Sequence, residues 1–342
     1  MGSRADGDRM SESLSVVVPV HNEAPHLRET IDALVEAVGQ SGFVTELVLV
    51  DDGSTDASAE VARKALAGRL PLTVVAQPNR GRFEARRAGL EAARGDYVLL
   101  LDSRVRIDRT ALAFVGPRLE AGEQVWTSHV HVVDGGSPFG IFWRLLAELA
   151  WSEYFDDPTT TSFGAAEFDR FPKGTTCFLA PRALLAAATD AFRTAYANAR
   201  AANDDTPLLR WIAERTPIHV SPWYSSAYTP RTDVRPFVRH AYHRGIVFLD
   251  GHGRPNSRFF PVVAGFYPLS AVWALRAMRH ASLVPTTLVG VGAAAAAFAV
   301  WRRRTLREAA SLAIATPVYA LAHGAGMWRG LAMLLAGRLR GL

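Results

Sequence analysis

The sequence predicts an α/β domain built on a parallel sheet, followed by a module of apolar helices. Strand-like apolar runs alternate with helix-like segments between residues 15 and 108, each of those runs ends in polar residues, and the chain from Phe259 onward holds long stretches without charge. Residues 1–13 (MGSRADGDRMSES) are polar and lack an apolar core, so they are expected to form a disordered tail without a secretory signal. Ser15 to Val20 (SVVVPV) reads as a buried strand, and the segment after it has helical spacing at Leu27, Ile31, Leu34, Val35 and Val38. A second strand, Glu46 to Val50, runs into Asp51-Asp52-Gly53-Ser54-Thr55-Asp56, and a helix is expected from Ala57 to Leu66. A third, Leu72 to Ala76, leads to Asn79-Arg80-Gly81 and a further helix; a fourth, Tyr97 to Leu101, ends at Asp102-Ser103-Arg104. Short connections between alternating strands and helices predict a parallel sheet covered on both faces. Ligands of such sheets sit at the carboxyl ends of the strands, and here those ends carry His21, Asn22, Asp51, Asp52, Asn79, Arg80 and Asp102.

Beyond residue 110 the pattern is less regular. Gln124 to Val133 reads as a strand with His129 and His131 on one face; with no third ligand nearby, a surface or hydrogen-bonded role outweighs a metal pair. Phe142 to Phe155 has a broad apolar face, expected to face a core, with contact to a membrane interface as the alternative. Asn203-Asp204-Asp205 precedes a helix (TPLLRWIAE) with Pro207 in its first turn. A basic run, VRPFVRHAYHRG, follows with Arg235, Arg239, His240, His243 and Arg244.

Phe259 to Leu275, Leu283 to Val300 and Ala309 to Trp328 are uncharged, with lengths that reach or approach a bilayer span. Buried helices of a soluble domain are the alternative, but segments apolar on every side leave little polar surface to face water. The net charge of +5 divides unevenly: from Phe259 onward nine arginines face one acid, Glu308, so the preceding part is mildly acidic. That distribution argues against a nucleic-acid-binding module, which needs basic residues concentrated in a folded unit. The positive-inside rule keeps Arg302, Arg303, Arg304 and Arg307 cytoplasmic. Three spans satisfy it, with Phe259 leaving the cytoplasm and residues 301–308 returning to it; a two-span arrangement with Phe259 to Met278 in the interface is the alternative. The single cysteine, Cys177, excludes an internal disulfide and a thiolate metal cluster, which suits a reducing compartment.

VVVPVHNE (16–23), VLVDDGSTD (48–56), NRGRFEARRAG (79–89) and GDYVLLLDS (95–103), in that order and spacing, resemble the nucleotide-sugar-binding half of the family-two inverting glycosyltransferases, which have the GT-A fold. The resemblance implies a Rossmann-like nucleotide-diphospho-sugar transferase domain. Residues 14–125 would form its nucleotide-sugar-binding half. Residues 126–258 would form the acceptor-binding half, with the catalytic base and a juxtamembrane basic segment, and 259–342 a membrane module of two or three transmembrane helices.

Glycosyl transfer needs the base and ribose held, the diphosphate charge neutralised, and an acceptor hydroxyl relieved of its proton. By resemblance Asp52 corresponds to the base-contacting carboxylate, while Pro19, His21 and Glu23 line the same mouth, His21 at the position of an aromatic stacking residue. Arg86 matches the basic residue of the family's Ala-Arg-Asn-x-Gly segment, with Arg87 in place of the Asn. Family members present Asp-x-Asp where this chain has Asp102-Ser103-Arg104, and the last carboxylate of that pattern binds the divalent ion. The resemblance therefore implies Mg2+ or Mn2+. Either Asp102 holds it with another group, Asp108 being nearest in sequence, or Arg104 does part of the cation's work by pairing with phosphate oxygens.

Asp204-Asp205 resembles the Glu-Asp-x-x-Leu motif, which makes Asp205 the catalytic base and Asp204 its acidic neighbour; a capped helix start explains one of the two acids. Arg239 and its basic neighbours fit either a segment that closes over the donor diphosphate or a patch for anionic lipid headgroups. Lys173 lies in a loop expected to border the acceptor. The reading is a membrane-anchored inverting glycosyltransferase, multi-pass, with its catalytic domain in the cytoplasm. Its expected partners are a nucleotide-sugar donor, a lipid-linked or cell-envelope glycan acceptor and membrane lipids, with no nucleic acid. A polyprenyl-phosphate glycosyl synthase is the nearest alternative, and an inactive scaffold or nucleotide-binding protein of the same fold is the alternative from another class.

Overall fold

The computed structural model describes residues 12–196, 199–255, 257 and 259–340. The expected tail lies, up to residue 11, outside the described residues, and Ser13 already begins the first strand. The order is β1 (Ser13–Val20), α1 (Ala24–Gly39), β2 (Val44–Asp52), α2 (Ser58–Leu66), β3 (Leu72–Gln77), α3 (Arg82–Ala92), β4 (Tyr97–Leu101), β5 (Val105–Ile107), α4 (Ala111–Glu120), β6 (Trp126–Val132), α5 (Pro138–Ala150), α6 (Ser152–Phe155), β7 (Thr161–Phe163), β8 (Cys177–Pro181), α7 (Arg182–Ala191), α8 (Thr206–Ala213), β9 (Ile218–Tyr228), α9 (Val234–His252), α10 (Phe260–Arg279), α11 (Leu283–Trp301) and α12 (Leu306–Arg340).

β1 is apolar without alternation because both of its faces are covered: Val16, Val17 and Val18 are fully buried. It pairs in parallel with β2 on one side and β4 on the other, and β2 pairs in parallel with β3. The chain thus reverses its direction of travel across the sheet at β1, the place where such sheets open a crevice for ligands. α1 covers the sheet with Leu27, Ile31 and Leu34, spaced by four and three residues, and its first turn accommodates Pro25. The sheet continues as β3-β2-β1-β4-β8-β6-β9-β5, with β7 on β9. β8 enters antiparallel to both β4 and β6. The four strands of the regular βα units are thus parallel, as expected, and the sheet becomes mixed only at β8, which lies beyond those units.

Two compact units result. The first comprises Met1–Val130, Pro158–Ala191 and Leu208–Ala227, and holds most of the sheet. The second comprises His131–Asp157, Phe192–Pro207 and Tyr228–Leu342, and is mainly helical. Within the second unit, α9 buries a ridge of Phe237, Ala241, Gly245 and Leu249, each four residues from the next. α12 lies along this ridge so closely that a Cβ at Gly245 would strike the His323 carbonyl and one at Gly326 would strike the Tyr242 carbonyl. α5 faces a core, as its apolar pattern predicts: Ile141, Phe142, Trp143 and Leu145 cluster with Phe237, Ala299, Ala309, Leu312 and Ala315.

α10 and α11 are long and apolar enough to cross a membrane, and only 6% and 11% of their most apolar stretches are buried. The third uncharged segment forms part of α12, whose 35 residues pack on α9 and α5 as well as α11. The arginine-rich joint before α12 is tied to the same unit: Arg304 pairs with Glu148 at 2.8 Å, Arg302 with Asp156 at 3.4 Å, and Arg144 with Glu308 at 2.8 Å.

Candidate active site

In the first unit the loops after β1, β2 and β3 are locked to one another. Asn22 adopts a left-handed conformation (φ 56°) that turns its side-chain oxygen toward the next loop, where it accepts from the amides of Thr55 (2.8 Å) and Asp56 (3.3 Å). The Asn22 amide donates back to the Ser54 hydroxyl at 3.1 Å, and Asp51 closes its own turn by accepting from the Ser54 amide at 2.8 Å. Gly53 (φ +72°) brings the second loop against the third; a Cβ there would stand 2.8 Å from the Asn79 amide nitrogen. His21 is exposed in this mouth, its Nδ1 2.9 Å from the Asp52 carbonyl and 3.1 Å from the Asn79 side-chain nitrogen. Pro19, half-buried, lies at the end of β1.

Asp52 is 5% exposed, and its carboxylate accepts from the Gln77 side chain (2.7 Å) and from the amides of Arg80 (2.8 Å) and Gly81 (2.9 Å). The role expected for it was direct contact with a base or ribose. Its three bonds hold the turn that starts α3. Gln77 is the partner that the sequence did not reveal.

Two ion pairs flank the crevice. Arg86, buried on α3, donates to Asp102 at 2.8 Å and to the Thr175 carbonyl at 3.4 Å. Arg104 pairs with Glu23 at 2.8 Å, and both side chains are largely covered. Opposite charges this close and this shielded from water interact strongly. The expected donor-site set of Glu23, Arg86, Asp102 and Arg104 is therefore assembled at the strand ends as paired cations and anions.

The donor set fits a resident divalent cation poorly. Asp102 is engaged by Arg86, a guanidinium stands where the second carboxylate is required, and Asp108, exposed at the far end of β5, spends its carboxylate on the amide (2.9 Å) and hydroxyl (2.6 Å) of Thr110. Among the described residues no group of three His, Cys, Asp or Glu side chains is placed to hold a metal. His129 is buried and His131 exposed, so the two face unlike surroundings. Cys177 is buried in β8, where desolvation pushes its thiol up to about 12, far from a nucleophile's range. Lys173 is held in its own loop, its Nζ over the Phe168 ring at 4.4 Å and donating to the Phe171 carbonyl at 3.0 Å.

In the second unit, Asp204 is buried and Asp205 half-buried. α8 takes its cap elsewhere, because the Thr206 amide donates to the Asn203 side chain at 3.2 Å. Arg239 is exposed on α9 with Arg235, His243 and Arg244, alongside the exposed apolar residues Val234, Val238 and Tyr242.

Residues 15–150 match the family described as Glycosyl transferase family 2. The chain is 40% identical over 92 residues to an undecaprenyl-phosphate 4-deoxy-4-formamido-L-arabinose transferase of Edwardsiella ictaluri, covering 26% of this chain and 28% of that protein. It is 36% identical over 95 residues to glycosyltransferase GlyG of Streptococcus pneumoniae, covering 28% and 31%. The chain thus spans under a third of the length of the curated relatives it matches. The crystal structure of S. aureus TarS 1-349 in complex with UDP is similar in fold, with a TM-score of 0.51 and 16% identity over 96% of this chain and 92% of that one.

Proposed function

We propose that the protein, whose residues 15–150 match the Glycosyl transferase family 2 model and whose fold is similar to that of S. aureus TarS, transfers a sugar from a nucleotide-diphosphate donor to an acceptor at the membrane, inverting the anomeric configuration. The observation that carries this reading is the pairing of Arg86 with Asp102 and of Arg104 with Glu23 around locked loops at the strand ends. Two guanidiniums are held in place by carboxylates, pre-positioned to pair with phosphate oxygens. When a diphosphate arrives, its oxygens replace those carboxylates as partners, and the charge that develops on the leaving group is met where it appears. Asp102 would be the carboxylate for the Mg2+ or Mn2+ that the family implies, and in this reading the two arginines carry most of the neutralisation.

Pro19 and His21 line the mouth that receives the base and ribose, and Asp52 holds the turn that bounds it. Asp205 takes the proton of the acceptor hydroxyl as that oxygen attacks the anomeric carbon. The bond from this carbon to the diphosphate oxygen breaks, its electron pair leaves with the nucleoside diphosphate, and a single displacement inverts the centre. Asp204 is its buried neighbour.

The catalytic domain lies in the cytoplasm, where nucleotide sugars are available, and α10 and α11 anchor it as a membrane-crossing pair. Arg239 and the exposed face of α9 then meet anionic headgroups or a lipid-linked acceptor. A second reading, transfer directly to a polyprenyl phosphate, is favoured by the undecaprenyl-phosphate transferase among the relatives. The nucleophile would then be a phosphate oxygen, with less need of a base.

Detergent-purified protein incubated with a panel of UDP-, GDP- and TDP-sugars tests the proposal. Release of nucleoside diphosphate from at least one member, accelerated by membrane lipid extract, is the expected result. Binding without release from any of them would favour a nucleotide-binding scaffold.

A further inference from the structure

The mechanism leaves unused one buried acid in the second unit, Asp250 near the end of α9, which is 2% exposed. It accepts three hydrogen bonds: from the Thr194 hydroxyl at 3.0 Å, the Ala195 amide at 2.6 Å and the Asn203 amide at 2.8 Å. Asn203 is the residue immediately before Asp204-Asp205, and its side chain caps α8 through the Thr206 amide. The pair of acids is therefore bracketed by Asn203 and Thr206, and Asn203 is fastened through its backbone to α9.

Two neighbours of Asp250 reinforce this attachment. A Cβ at Gly251 would strike the Asn203 side-chain amide, so helix and segment touch at the residue where the bond is made. One turn earlier the Tyr196 hydroxyl donates to the Ile246 carbonyl at 2.6 Å, and Gly330 of α12 leaves room for that hydroxyl. A buried carboxylate is costly unless its oxygens are satisfied, and here charge-assisted bonds to two backbone amides satisfy it. Those amides are fixed points of the chain, so the carboxylate sets where the backbone runs. A general base must sit within hydrogen-bond reach of its proton, and small displacements cost large factors in rate.

We propose that Asp250 is a positioning residue for the catalytic base: by holding the Asn203 backbone against α9 it sets the place of Asp205. The inference rests on the reading of Asp205 as base. Asp250 itself touches neither donor nor acceptor. It also gives α9 a second task, since the helix that carries Arg239 on its exposed side carries the anchor of the base-bearing segment at its end.

The test is a double-mutant cycle on detergent-purified full-length protein, with turnover of whichever UDP-, GDP- or TDP-sugar the wild type consumes and UDP as the binding probe. Asp250→Ala should lower kcat by roughly tenfold to a hundredfold, within the range that general-base catalysis supplies, and leave UDP affinity within about threefold. Asp250→Asn keeps one acceptor oxygen and should fall between Ala and wild type. Gly251→Ala, which displaces Asn203 without removing the acid, should also lower kcat at unchanged UDP affinity, and it keeps the test open should the Ala variant not fold.

The combined Asp205→Asn/Asp250→Ala protein should be no slower than Asp205→Asn alone, because a positioning residue has nothing left to position. Multiplying losses in the double variant, or full turnover by both Asp250→Ala and Gly251→Ala, would overturn the inference while leaving Asp205 as base intact. Full turnover by Asp205→Asn would instead remove the base assignment on which it rests.

Discussion

Arg104 stands where the family resemblance implies a carboxylate, and its pairing with Glu23 gives that position a physical meaning. If the two arginines neutralise the donor, nucleotide-sugar turnover should persist in excess EDTA, and Arg104→Ala should weaken UDP binding by about tenfold or more, since a charge-assisted hydrogen bond is worth about 1.5 to 3 kcal/mol. Loss of turnover on chelation, restored by manganese, would return the role to a metal held by Asp102. The charged types at the strand ends were legible in the sequence, because acids and arginines that follow apolar runs are out of place unless they serve a site. Their pairing was not. Arg86 and Asp102 belong to different elements, as do Glu23 and Arg104, and only the sheet order brings each pair together. Asp52 shows the converse: resemblance singled it out, but its three internal bonds come from residues 25 to 29 positions further on, beyond any local pattern.

α9 and α12 show how two helices with unlike surfaces come to share an interface. Ala241, Gly245, Gly326 and Gly330 remove side chains where the backbones meet, and Phe237 and Leu249 fill the space at either side. Gly326→Leu would force a side chain into the Tyr242 carbonyl and should lower the thermal midpoint of the purified protein by several degrees, whereas the same change at Gly265, where nothing lies within 4 Å, should leave it nearly unchanged. Equal midpoints for both variants would mean that the close approach is not required. The helical periods of α1 and α5 could be read directly, because each presents one apolar stripe. The direction of β8 could not, since a short strand buried on both faces carries no periodicity.

The chain divides its chemistry between a mildly acidic sheet unit and a helical unit that holds the apolar segments and most of the late arginines. α12 runs beside α9 from about Tyr319 to Leu331, and α9 carries Arg235, Arg239, His240, His243 and Arg244, a run too basic to enter a bilayer core. α12 is therefore tied to α9, whereas α10 and α11 are the two helices long and apolar enough to cross a membrane. If α10 and α11 alone cross, as proposed, a reporter after Leu342 should be cytoplasmic and one between Arg279 and Leu283 extracytoplasmic; an extracytoplasmic reporter after Leu342 would make α12 a third span. Apolar length was visible in the sequence, but the covering of one apolar helix by a basic one was not.

The most direct test of the mechanism as a whole is the turnover of the preferred nucleotide sugar by wild-type and Asp205→Asn proteins, with UDP affinity measured on both. Turnover should fall by at least about a hundredfold, the lower range of general-base catalysis, at UDP affinity within a few-fold. Unchanged turnover would contradict the account.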